Sequence, residues 1–199
     1  MIVYDITNSE DNPIYKALEQ SNLSRQYDFL RSIVEASIGM NCLFLSTYII
    51  KALHFHAITC LHPCAGEYRP CPVLVGDFRP PEHYLVGSMM DDFVNQVNII
   101  WERADPVELA AFVLWKLNFI HPFINGNGRT ARAISYFVLC VKVGGWLPGR
   151  IILPELLRGE RDAYVAALKS VDTSFKAGAF DISPLKTIVS ELLAKQLST

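Results

Sequence analysis

Apolar residues recur at helical spacing along most of this chain. In Val107–Asn118 they fall at Leu109, Phe112, Val113 and Leu117, the stripe of a helix with one face in the core. Asp105 and Pro106 supply an N-cap and a first-turn proline ahead of that stripe. Arg129–Val143 is apolar on most faces, which predicts a helix buried all round, and Gly144-Gly145 predicts its end. Ile38–Ile50 is the most apolar stretch. It contains Asn41, is bounded by Lys51 and is shorter than the ~20 residues of a membrane span, so a buried helix is expected there. Arg161–Val171 reads as a further helix. Alternation at Val73–Val75 and His83–Val86 predicts a β-hairpin.

Between the two central helices the pattern breaks. His121 to Arg132 reads HPFINGNGRTAR. Pro122 and the Gly126/Gly128 pair oppose a continuous helix, and the second helix opens at Gly128-Arg129. A glycine-rich turn at a helix N-terminus suits an anion. The first amides have no partner within the helix, and the helix dipole favours negative charge. Arg129 and Arg132, three apart, share one helix surface and offer planar donor forks for phosphate oxygens. His121 is the one histidine of the segment and suits a general base. Taken singly, each feature fits an ordinary C-cap or a solvated helix face. Together they point to attack of a hydroxyl on a nucleotide phosphate.

This segment resembles the signature of the Fic family, HxFx(D/E)GNGRxxR, matched at His121, Phe123, Gly126, Asn127, Gly128, Arg129 and Arg132. The resemblance implies a mainly helical single domain over 1–199, with its core at about 54–171 and a β-hairpin flap over the active-site loop. It also implies transfer of AMP from ATP to a serine, threonine or tyrosine hydroxyl of a target protein. His121 would take the hydroxyl proton and Phe123 would pin the loop. Gly126, Asn127 and Gly128 would form the anion nest, with Arg129 and Arg132 on phosphate oxygens. The flap, with Val73, Leu74, Val75 and Tyr84, would dock the target segment by strand addition.

The chain departs from the pattern at Asn125, where the family carries an acidic ligand of Mg²⁺. An amide oxygen lacks the charge that a hard cation favours. Slower AMP transfer with weak metal binding, another phosphate-containing donor, and binding without catalysis all stay open, as does the reverse reaction. The N-terminal helices are expected to be inhibitory. Many relatives carry (S/T)xxxE(G/N) there, its glutamate pairing with the second motif arginine. Ser32–Ser37 approaches that pattern, with Glu35 as candidate partner of Arg132; a plain amphipathic helix is the alternative.

Composition narrows the rest. The chain has 199 residues, 51% hydrophobic and 19% charged, with net charge −2, enough for one full core. No basic run calls for nucleic acid. The polar, acidic N-terminus is not a secretory signal, and a cytoplasmic protein is expected. Five cysteines without a CxxC pair are expected as free thiols, although Cys60, Cys64 and Cys71 lie near three histidines. Cys42 and Cys140 are expected in core helices. Nothing in the sequence decides between a monomer, a homo-oligomer and a complex with an antitoxin.

Overall fold

A computed structural model describes residues 2–199. It is built of helices: α1 Val3–Thr7, α2 Pro13–Gly39, α3 Thr47–Ile58, α4 Val86–Ile100, α5 Pro106–Ile120, α6 Asn127–Val143, α7 Leu153–Gly159, α8 Arg161–Lys176 and α9 Ser183–Leu197. The two stripes read from the sequence are α5 and α6, packed against each other at the centre. Asp105 caps α5 by accepting the Glu108 N–H at 2.9 Å, with Pro106 in the first turn. Gly144, left-handed at φ 82°, ends α6 as expected. From Thr130 to Val141 nearly every residue of α6 is buried, because α2, α3, α5 and α7 all pack on it. Ser135 Oγ donates to the Ala110 carbonyl at 2.8 Å and so satisfies its hydroxyl between α5 and α6.

Two expectations are corrected. Ile38–Ile50 is not one helix. Asn41 takes φ 53°, a conformation asparagine tolerates, and α2 stops at Gly39. Ser46 then N-caps α3 by accepting the Ile49 N–H. The intervening Leu45 is buried, and the Asn98 carboxamide satisfies both its backbone groups at 2.8 Å. Cys42 therefore sits in an irregular segment and not in a core helix, whereas Cys140 is buried in α6.

The β-hairpin is not formed either. Val75 and Phe78 make one antiparallel bridge, each N–H donating to the other's carbonyl at 3.0 Å across Gly76-Asp77. Gly76 supplies the positive φ such a tight turn needs. The second expected strand, His83–Val86, is instead a 3-10 turn, His83–Leu85, leading into α4. Arg79, Pro80 and Pro81 lie between the two halves, and prolines cannot donate to a ladder. Among the described residues no helix is long and apolar enough to cross a membrane.

Candidate active site

The loop Pro122–Gly126 joins the C-terminus of α5 to the N-terminus of α6. Its conformation is set at both ends by left-handed residues, His121 at φ 51° and Gly126 at φ 75°. At Gly126 a side chain would also collide with Ile58, whose Cδ1 and Cγ1 lie 2.5 and 2.6 Å from where a Cβ would stand. Phe123 is fully buried and stacks on His54, ring centroids 3.7 Å apart. The Asn127 side chain is used internally. Its Oδ1 accepts from Phe123 N–H at 2.9 Å and its Nδ2 donates to Phe123 O at 2.8 Å. Asn127 thus has its backbone, and not its side chain, left to face a ligand.

The first intrahelical bond of α6 runs from Thr130 N–H to Gly126 O, which leaves the amides of residues 127 to 129 ahead of it. Arg132 has no hydrogen-bond or ion-pair partner among the described residues, and its buried Nε is unsatisfied. A buried guanidinium edge without an acceptor is costly unless a ligand supplies one. Arg132 lines two cavities. One, of about 450 Å³, also holds His121, Gly128, Asn118 and Tyr164, with Phe78 and Val75 from the bridged turn. The other, of about 210 Å³, is bounded by α2 through Glu19, Gln20 and Leu23, and by Arg129 and Arg158.

Burial pushes the His121 imidazole down to about 4; its hydrogen bond to the Asn118 backbone opposes this and the Arg69 charge adds to it. At neutral pH it is therefore an uncharged base. Arg69 is a residue that pattern reading overlooked. It is 3% exposed, yet pairs with no carboxylate. Its Nε donates to His121 O at 2.8 Å, and its other guanidinium nitrogens donate to Cys71 O and Pro81 O. Its own N–H donates to Pro122 O at 2.9 Å. One buried cation thereby ties the base's backbone to the root of the bridged turn. His54 makes two hydrogen bonds beside the loop. Its Nδ1 accepts from Gly66 N–H at 2.9 Å, so its proton is on Nε2, which donates to Asn125 O at 2.9 Å. Burial holds its pKa at about 4, keeping it neutral.

Asn125 faces two ways. Its Oδ1 accepts from Gly126 N–H at 2.6 Å and from Arg129 at 3.0 Å. Its Nδ2 lies 2.8 Å from Glu10 Oε1 and 3.0 Å from His62 Nε2. No group of three or more His, Cys, Asp or Glu side chains suited to a metal forms among the described residues. No disulfide joins any two of the five cysteines.

Glu35 does not meet Arg132. It is exposed and pairs with Arg31 one turn away, at 2.9 Å. The carboxylate that α2 brings to the site is Glu19, 3.0 Å from Arg129. With Tyr15 four positions before it and Gln20 after it, Glu19 does not match the inhibitory pattern either, and it pairs with the first motif arginine and not with Arg132.

Comparison with known proteins agrees with this geometry. Residues 44–139 match the model of the Fic/DOC family. Protein adenylyltransferase Fic of Drosophila mojavensis is 28% identical over 92% of this chain and 34% of its own length. Protein adenylyltransferase fic-1 of Caenorhabditis briggsae is 38% identical over 52% of this chain and 19% of its own. The chain thus spans about a third or less of these relatives. A Fic domain containing signaling protein of Bacteroides thetaiotaomicron superposes with a TM-score of 0.73 at 25% identity, covering 91% of this chain and 71% of that one. Fic-1 of C. elegans, residues 134–508, superposes with a TM-score of 0.68 at 26% identity, covering 89% and 48%. With its motif loop held between two buried helices, and with helical neighbours of the same architecture, this chain carries over residues 44–139 a segment that matches the Fic/DOC family.

Proposed function

We propose that this chain transfers AMP from ATP to a hydroxyl of a target protein. The observation that carries the reading is the shared cavity. An uncharged His121 and an unpartnered Arg132 line it beside the free amides of α6. The hydroxyl oxygen attacks the α-phosphorus, the bond from that phosphorus to the bridging oxygen of pyrophosphate breaks, and the hydroxyl proton passes to His121. The amides of residues 127 to 129, with Arg129 and Arg132, hold the phosphate oxygens. Catalysis is then mainly positioning and charge stabilisation. The adenylyltransferase names of the relatives support this donor and this reaction.

The target segment docks on Val73–Val75, where Val75 makes a single backbone bridge to Phe78. Leu74 and Tyr84, 70% and 73% exposed, offer it apolar contacts. A divalent cation, when bound, neutralises phosphate charge. Asn125 alone does not fit one, since its Oδ1 faces donors and it carries no charge. A second reading, removal of AMP from a modified protein, draws on Glu19, a carboxylate at the site in the free protein.

The test is incubation with α-³²P-ATP and Mg²⁺ or Mn²⁺, wild type beside His121→Ala. Label that appears on protein and vanishes in His121→Ala is the expected result. Equal labelling of both would overturn the assignment of His121. Loss of label from AMP-modified protein, without transfer, would select the second reading.

A further inference from the structure

Two cavities meet at Arg132, and a second arginine stands there with it. Of the residues that line the cavity of about 450 Å³ holding His121 and the cavity of about 210 Å³ beside α2, Arg132 and Arg158 are common to both. Arg158 lies in the last turn of α7, which packs on α6. The smaller cavity is therefore lined by three arginines, Arg129, Arg132 and Arg158, against one carboxylate, Glu19. That carboxylate is engaged by Arg129 at 3.0 Å, and the buried Nε of Arg132 has no acceptor. Arg158 is held loosely. Its Nη1 lies 3.4 Å from Glu155 Oε2 in an exposed pair within α7. The other oxygen of Glu155 accepts from Tyr27 OH at 2.5 Å, so the carboxylate is anchored to α2 and not to Arg158. Like charges converging on one small cavity repel one another unless an anion fills it.

We infer that Arg158 is a third phosphate arginine of this site, closing with Arg132 on the terminal phosphate of the donor where the two cavities join, so that the chain selects donors with a free polyphosphate end. The reacting phosphate belongs beside His121 in the larger cavity, and the phosphates beyond it run past Arg132 to this junction. An arginine fork holds two phosphate oxygens at once. Moving Arg158 from Glu155 to phosphate costs little, because the pair is long and screened by solvent. Tyr27 keeps the released carboxylate hydrogen-bonded. A diphosphate whose far end is esterified to an alcohol carries less charge and no free end, and it would leave Arg158 without an acceptor in the junction. The inference rests on the nucleotide reading for the identity of the donor, and it is read in affinity, without transfer.

The experiment is calorimetric titration of the full chain with AMP, ADP and ATP, wild type beside Arg158→Gln and Arg158→Lys. Wild type should bind ATP more tightly than AMP. Arg158→Gln should weaken ATP binding by about ten-fold or more and AMP binding by less than about two-fold. Arg158→Lys keeps the charge without the fork and should fall between the two. Melting temperatures report folding; Arg158→Gln breaks an exposed pair and should melt with wild type. Wild-type ATP affinity in Arg158→Gln, equal losses for AMP and ATP, or no ATP bound by wild type would overturn the proposal. ATP binding that depends on Arg158 in a protein that labels nothing from α-³²P-ATP would sink the transferase reading and leave Arg158 at the terminal phosphate.

Discussion

Replacing Glu19 by glutamine removes the charge that α2 sets against Arg129 while keeping the side chain's shape. At 3.0 Å the bare attraction is about 1.4 kcal/mol in a water-like dielectric and about 5.5 kcal/mol at an effective constant of 20. Glu19 is 38% exposed and Arg129 15%, which puts the pair near the lower figure once screening is counted; a net of about 1–2 kcal/mol is expected. A nucleotide phosphate that uses Arg129 must first take it from Glu19. Glu19→Gln should therefore bind ADP and ATP about 5- to 30-fold more tightly by isothermal titration calorimetry. AMP transfer at limiting ATP should rise with it. Glu35→Gln is the control: its partner Arg31 lies on the solvent face, and affinity should not move. Unchanged or weaker nucleotide binding by Glu19→Gln would refute the reasoning, since the ion pair would then not compete with phosphate.

Three further outcomes are expected. Gly126→Ala forces a left-handed alanine against buried Ile58; strain and overpacking together should cost about 2–4 kcal/mol, read as a melting temperature roughly 5–15 °C lower. His54 is neutral when folded, with a pKa of about 4, while the unfolded imidazole protonates near ~6.5. Its folded pKa is depressed, so its stabilising effect is complete above ~6.5 and declines as pH falls toward 4, by about 2 kcal/mol at pH 5; urea midpoints at pH 7.5 and 5.0 should differ less in His54→Gln than in wild type. Arg69→Gln breaks the bonds to His121 O, Cys71 O and Pro81 O and removes a cation near His121, so the acid limb of kcat/KM should move to higher pH, and an unshifted limb would remove Arg69 from the tuning of the base.

What was legible in the sequence was what depends on local pattern. The α5 and α6 stripes, the Asp105 cap and the Gly144 stop are written in residues within a few positions of one another. So is the motif loop, because Gly126 and Phe123 act where they stand. What was not legible depends on partners far apart in the chain. Asn98 satisfies Leu45 across 53 positions, and this lets an apolar run be a buried loop. Val73–Val75 forms no strand: Val75 alone bridges, to Phe78 within the turn and not to the second apolar run. Glu19 matches no family pattern, and its meeting with Arg129, 110 positions on, comes from the packing of α2 on α6.

The same contrast bears on how the loop is governed. Asn125 Oδ1 and the Glu19 carboxylate both occupy donors that the proposed reaction assigns to phosphate oxygens, one on Gly126 N–H and Arg129, the other on Arg129 alone. Arg129 is thus shared by three acceptors in the free protein, the third being the Ala57 carbonyl, while Arg132, three residues on, has none among the described residues. An incoming polyphosphate meets little resistance at Arg132 and most of it at Arg129. Engagement should begin at Arg132, the only one of the two arginines that also lines the cavity holding His121, and finish at Arg129. Removing Glu19 then eases only the second step. By this order, Arg132→Ala should abolish nucleotide binding even in a Glu19→Gln background, whereas Arg129→Ala should lose most of the gain that Glu19→Gln confers, because the residue whose release produced it is gone. Calorimetry on the two double variants separates these outcomes, and equal losses in both would show that the arginines act as one site without order.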